Sequence, residues 1–171
     1  MEIQRRLEQI AVSDELTGLL NRRGFTMMAG HLHKMATRQR NGLAVVFADL
    51  DGLKRINDQL GHDHGDRAIR ELADVLRSTF RSSDVVARLG GDEFAVLVHA
   101  VDRGRLDVAL DRLGASVAAV NAHPDRPFAL SVSLGVAMFD PATPLTLDEL
   151  IGEADKRMYD HKQSRRAARA S

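Results

Sequence analysis

The stretch "GLAVVFADLD", residues 42–51, sets an unbroken apolar run between a glycine and two aspartates. A short run of this kind, rich in valine and bounded by polar residues, reads as a strand buried within a sheet, with Asp49 at its C-terminal end. It is far shorter than the ~20 residues that cross a bilayer. Such a strand needs helices to cover it, and the flanking sequence supplies them. "TGLLNRRGF" reads as a turn, after a cap at Ser13 or Asp14, leading into a helix that runs to about Arg40. Beyond the strand, "LKRINDQLGHDHGDRAIRELADVLRSTF" reads as a short helix, a His/Gly/Asp loop and a longer helix. Ile69, Leu72, Val75, Leu76 and Phe80 give that longer helix its core face.

The runs "DVVARL" and "EFAVLVHA" flank Gly90-Gly91, a pair suited to the positive φ angles of a type I′ hairpin turn. A helix from about Arg103 to Val120, a strand in "FALSVSLGVAMF" and a final helix from Leu147 follow, the last ending in the basic tail "DHKQSRRAARAS". Helices alternating with strands around a hairpin imply an α/β fold with a mixed central sheet flanked by helices. At 171 residues the chain is long enough for one domain with a real core. Residues 1–12 carry a thin apolar stripe, Ile3, Leu7, Ile10 and Ala11, poorly suited to packing alone. They are expected to form a linker or signalling helix continuing from an upstream domain, with residues 13–171 as the folded domain.

Charge narrows the functional classes. Lys plus Arg and Asp plus Glu both number 24, so bulk charge recruits neither nucleic acid nor membrane. The absence of cysteine excludes disulfides and thiolate metal sites. With no apolar leader at the N-terminus, a cytoplasmic domain is the expectation.

The informative residues are acids at strand ends. Asp49 and Asp51 close the buried run, and Asp92 and Glu93 sit at the hairpin. Alternation along a strand puts Asp49 on the face of Val45 and Phe47, and neighbouring strands would bring it to Glu93. Carboxylates that close repel unless a proton or cation lies between them. Oxygen donors without cysteine favour Mg²⁺ over zinc. Solvated turn carboxylates are the competing reading of the acids alone. An EF-hand is excluded, because Lys54 stands at the glycine position and Leu60 at the terminal glutamate position.

Taken in order, "DELTGLLNRRGF", "DLDGLKRINDQLGHDHGD", "RLGGDEF", "SLGVA" and "ADKRMYDHK" resemble the GGDEF family of diguanylate cyclases, from about Ser13 to Arg166. The resemblance implies a palm-like nucleotidyl cyclase fold and a dimeric enzyme that condenses two GTP into cyclic di-GMP and two pyrophosphates. It implies two Mg²⁺ (or Mn²⁺) ions per active site, held by Asp49, the Leu50 carbonyl, Asp92 and Glu93, with Asp92 either a ligand or the general base. Asn57 and Asp66 match the guanine-reading pair, and a carboxylate suits the guanine N1–H and N2–H₂. Gly90 and Gly91 match the turn that a nucleotide approaches. Lys54, Lys162 and Arg166 match phosphate contacts, Lys54 near the catalytic centre. Arg81, Asp84 and Arg112 match an inhibitory site that binds cyclic di-GMP. The chain departs from the family pattern at Gly52-Leu53, where an aromatic-containing pair is usual, and at Arg165-Arg166-Ala167, where Gly-Arg-Asn is usual. A non-catalytic module that binds GTP or cyclic di-GMP is the alternative function.

Overall fold

The computed structural model describes residues 12–170, so the expected helix over 1–12 lies outside it but for Val12. The elements in chain order are α1 (Arg22–Gln39), β1 (Leu43–Leu50), α2 (Leu53–Leu60), α3 (His62–Thr79), β2 (Val85–Gly90), β3 (Glu93–His99), α4 (Arg103–Asn121), β4 (Val132–Phe139) and α5 (Leu147–Ala170). The strands form one sheet in the order β2-β3-β1-β4. Every pairing between these strands is antiparallel. Strands β1 and β2 run in the same direction, but β3 is inserted between them. The parallel component of the expected mixed sheet is therefore one isolated bridge, Leu20 to Ala87.

All of β1 is buried, and its alternating side chains feed two cores. Ala44, Val46, Ala48 and Leu50 pack with Ile56 of α2, Ile69, Leu72 and Leu76 of α3, and Leu106 and Leu113 of α4. Leu43, Val45 and Phe47 pack with Phe25, Ala29 and Leu32 of α1 and with Leu150, Ala154 and Met158 of α5. The apolar run is continuous in sequence because both of its faces are covered.

Four local expectations are corrected. The cap of α1 is Asn21, whose side chain accepts from Gly24 N. Asp14 instead closes the preceding turn, accepting from Thr17 N at 2.9 Å and Thr17 Oγ1 at 2.7 Å. No His/Gly/Asp loop separates α2 from α3: Gly61 alone divides them, its φ of 92° turning the chain in one step. The hairpin is not type I′, since neither Gly90 nor Gly91 has a positive φ. Its turn residues are Gly91 and Asp92, and a register shift between Arg88 and Gly90 supplies the bend that a primed turn would have given. Strand β4 starts at Val132 rather than near Phe128. The Asn121 side chain takes both backbone groups of Leu130, each at 2.8 Å, before the ladder begins.

Candidate active site

The end of β1 brings the acids together. Asp49 and Glu93 are opposed in the β1–β3 register, and Leu50 N donates to the Asp92 carbonyl at 2.8 Å, tying the hairpin turn to the strand end. Asp49 is only 3% exposed. Lys162 reaches in from α5, its Nζ 2.8 Å from Asp49 Oδ1 and 3.9 Å from Asp92 Oδ2. Burial pushes the Asp49 carboxyl above its usual range. The Lys162 hydrogen bond opposes that rise, and the charges of Asp92 and Asp51 reinforce it. Glu93 is partly exposed and lies 3.6 Å from Arg22.

Asp51 is also buried, but its oxygens are already engaged. Ser131 and Ser133 hydroxyls each donate to it at 2.7 Å, and Arg165 Nε lies 3.5 Å away. Asp51 therefore serves the fold, while the carboxylates around Asp49 share one ammonium. Among the described residues no group of three His, Asp or Glu side chains is drawn close enough to hold a metal unaided. The donor chemistry nonetheless suits Mg²⁺ or Mn²⁺: the donors are hard oxygens, and Asp49 is destabilised by negative neighbours that a divalent cation would neutralise.

Asn57 on α2 lies against the first turns of α3. A Cβ on Gly65 would stand 1.8 Å from Asn57 Oδ1, so the helices approach this closely only with glycine there. Asp66 is the next residue, half-buried, so Asn57 and Asp66, the residues expected to read guanine, lie at one place between α2 and α3. At Gly90 and Gly91 a Cβ would meet nothing within 4 Å. Neither backbone angle nor internal packing requires these glycines, and they leave the hairpin surface bare. Lys54 is exposed near the start of α2. Arg166 lines a cavity of about 160 Å³ with Asp51, Gly52, Arg55, Lys162 and Arg165.

Two arrangements were not anticipated from the sequence. Arg165, noted there only as a departure, donates to the Val132 carbonyl at 2.8 Å and to Ser131 Oγ at 3.0 Å. It continues a series along α5: His161 Nδ1 accepts from Leu134 N at 2.9 Å, and Arg157 donates to the Val136 carbonyl at 2.7 Å. Four residues of helix advance about 6 Å and two of strand about 6.8 Å, so a period of four on α5 matches a period of two on the edge strand β4. The spacing of Arg157, His161 and Arg165 was the available signal. The second arrangement joins Asp14 to the hairpin. Arg88 Nη1 lies 3.1 Å from Asp14 Oδ1, while Arg88 Nε and Nη2 donate to the Gly91 carbonyl at 3.2 and 3.0 Å. Burial alone would raise the Asp14 carboxyl, but the Thr17 hydrogen bonds and the Arg88 charge outweigh it and hold Asp14 below its ordinary value.

On the far side of β3, Arg81, Asp84 and Arg112 line one cavity of about 300 Å³, walled by Phe80, Val98 and Val108. Arg81 bonds Asp84 through its backbone N at 2.9 Å and its guanidinium at 3.3 Å, and donates to the His99 carbonyl at 2.9 Å. Arg112 donates to the Thr79 carbonyl. The three residues converge, with Arg81 and Asp84 paired to each other.

Comparison with known proteins agrees with this layout. The family model described as "Diguanylate cyclase, GGDEF domain" matches residues 11–168. Cyclic di-GMP phosphodiesterase NbdA of Pseudomonas aeruginosa is 38% identical over 157 residues, which are 91% of this chain and 20% of that protein. Diguanylate cyclase DgcS of Shewanella oneidensis is 35% identical over 91% of this chain and 51% of its own length. The chain thus spans between a fifth and about half of these curated relatives. The crystal structure of the GGDEF domain of DgcB from Caulobacter crescentus, in complex with c-di-GMP, superposes with a TM-score of 0.81 at 26% identity, covering 90% of this chain and 91% of that one. The chain therefore belongs to the GGDEF family of diguanylate cyclase domains.

Proposed function

We propose that the chain is a diguanylate cyclase that condenses two GTP into cyclic di-GMP, each domain presenting one GTP to a partner domain in a homodimer. The observation that carries this reading is the Asp49–Glu93 opposition across β1 and β3, in an acid cluster short of positive charge and beside a turn kept bare by Gly90 and Gly91. Asn57 and Asp66 hold the guanine, with Asp66 accepting from N1–H and N2–H₂, donors that adenine does not present together. Lys54, Lys162 and Arg166 neutralise the phosphates. Asp49, Glu93, Asp92 and the Leu50 carbonyl are the groups that would hold the ions. A divalent cation bound there neutralises phosphate charge and lowers the pKa of the attacking hydroxyl. The 3′-oxygen of one GTP bonds the α-phosphorus of the other, the bond to the β-phosphate oxygen breaks, and pyrophosphate leaves. The same step repeated closes the ring. Asp92 stands at the cluster as a further ligand or as the acceptor of the hydroxyl proton.

Cyclic di-GMP held by Arg81, Asp84 and Arg112 slows the enzyme in this reading. The opposing reading, a module that binds nucleotide without turnover, is favoured by one observation: Lys162 already occupies Asp49. Among the described residues no helix is long and apolar enough to cross a membrane. We assign the domain to the cytoplasm, where GTP is found.

Turnover with GTP and ATP tests the assignment. Wild type with Mg²⁺ converts GTP and not ATP, and Asp66→Ala raises the KM for GTP about tenfold or more, the scale of a lost charged hydrogen bond. Equal turnover of both nucleotides, or an unchanged KM, contradicts the guanine assignment. Arg81→Ala leaves initial rates unchanged and lets product accumulate further. Unaltered inhibition late in the reaction removes the product-binding role.

A further inference from the structure

The cavity beyond the end of β1 carries two arginines, Arg55 and Arg165, in addition to the Lys162 and Arg166 that match the family's phosphate contacts. Its lining is Asp51, Gly52, Arg55, Lys162, Arg165 and Arg166, so cations predominate. Two of these cations are committed, Lys162 to Asp49 and Arg165 to Asp51. The single acid is saturated as well, by Ser131 and Ser133. Among the described residues no hydrogen bond or ion pair engages the side chain of Arg55 or Arg166. Like charges gathered without an acid repel one another, and an anion between them turns that repulsion into attraction.

Gly52 lies beside Arg55 in this wall. Arg55 Nη2 is 3.7 Å from where a Cβ at position 52 would stand, an ordinary contact distance, so it is the φ of +75° rather than space that favours glycine there.

We propose that Arg55, working with Arg166 in this cavity, is a phosphate-binding residue for the terminal phosphates of the nucleoside triphosphate. The inference rests on the GTP reading above and adds to it a residue that sets preference for triphosphate over monophosphate. The reacting α-phosphate belongs at the hairpin acids, and neither Asp92 nor Glu93 lines this cavity. The cavity therefore collects the phosphates beyond it. A guanidinium fork suits two phosphate oxygens at once, which an ammonium does not.

Calorimetric titration of wild type, Arg55→Ala and Arg55→Lys tests the proposal with three probes: a non-reacting α,β-methylene analogue of GTP, GMP and inorganic tripolyphosphate. Arg55→Ala is expected to weaken the analogue and tripolyphosphate about tenfold and to leave GMP unchanged, with Arg55→Lys between. A thermal melt of each variant confirms the fold. Equal analogue and tripolyphosphate affinities in wild type and Arg55→Ala overturn the role of Arg55, as does an equal loss for all three probes. A wild type that binds tripolyphosphate but neither guanine nucleotide overturns the GTP reading instead. The tripolyphosphate comparison then still decides whether Arg55 holds phosphate.

Discussion

Asp49 and Asp51 lie two residues apart, are both buried, and have opposite roles. Asp51 is satisfied by two hydroxyls and a guanidinium, whereas Asp49 faces Asp92 with one ammonium between them. The folded state holds the Asp49 carboxyl above its ordinary value, so this group binds more protons folded than unfolded. Its contribution to stability falls as pH rises from the ordinary value of 3.8 through the raised one. Asp49→Asn is therefore expected to raise the Tm of the metal-free protein at neutral pH while abolishing turnover. A lowered Tm, measured by calorimetry in chelator, contradicts this account of the site's electrostatics. Glu71 has the opposite sign. Burial opposes its charge, but Arg126, 9% exposed in its side chain and 2.6 Å away, and Arg67 at 2.9 Å together hold it below the ordinary 4.5. Its stabilisation is present above that value and is lost as pH falls through the lowered one. Glu71→Gln should lower stability by about 2 kcal/mol, or roughly 6 °C in Tm, and flatten the acid limb of the stability curve. An unchanged acid limb would place the pH dependence elsewhere.

Two connections between elements carry the site. Arg88 joins the Asp14 turn to the Gly91 carbonyl, so the segment preceding α1 and the hairpin that carries Asp92 and Glu93 share one side chain. Arg88→Ala should lower stability by about 2 kcal/mol and reduce turnover more than the melt alone explains, because Glu93 follows that turn directly. Turnover in proportion to folded fraction contradicts the coupling. On the opposite edge, Arg165→Ala removes the last bond between α5 and β4. Amide exchange beyond Lys162 should accelerate about tenfold while exchange at Leu150–Ala154 stays as it was. The strands were legible in the sequence because burial on both faces writes itself as a continuous run, as in Leu43–Ala48. Asp49 and Glu93 were legible because strand alternation gives side-chain facing. The Asn21 cap was not, since Ser13, Asp14 and Asn21 are all chemically able to cap and only the path of the chain selects one. The hairpin's turn type was hidden because a paired glycine fits a primed turn as well as a bulged one. Arg165 was missed because its partners are backbone groups of β4, which leave no mark on composition.

In the proposed function each domain holds one GTP at Asn57 and Asp66 beside one acid cluster, and ring closure needs two nucleotides. A single domain would then bear half of the reaction, and turnover would depend on the encounter of two. The cavity lined by Arg81, Asp84 and Arg112 is walled by α4 and β3 and by no residue of the hairpin turn; in the proposed function, product binds there while the acid cluster remains open to GTP. The central claim is metal-assisted condensation across a dimer, and the most direct test is the rate of cyclic di-GMP formation from GTP and Mg²⁺ over a range of protein concentrations, with Glu93→Gln as the control. The account predicts a rate that rises more steeply than linearly with protein and vanishes in the control. A wild type that makes no product at any concentration while still binding GTP contradicts catalysis, and a strictly linear rate contradicts the dimer.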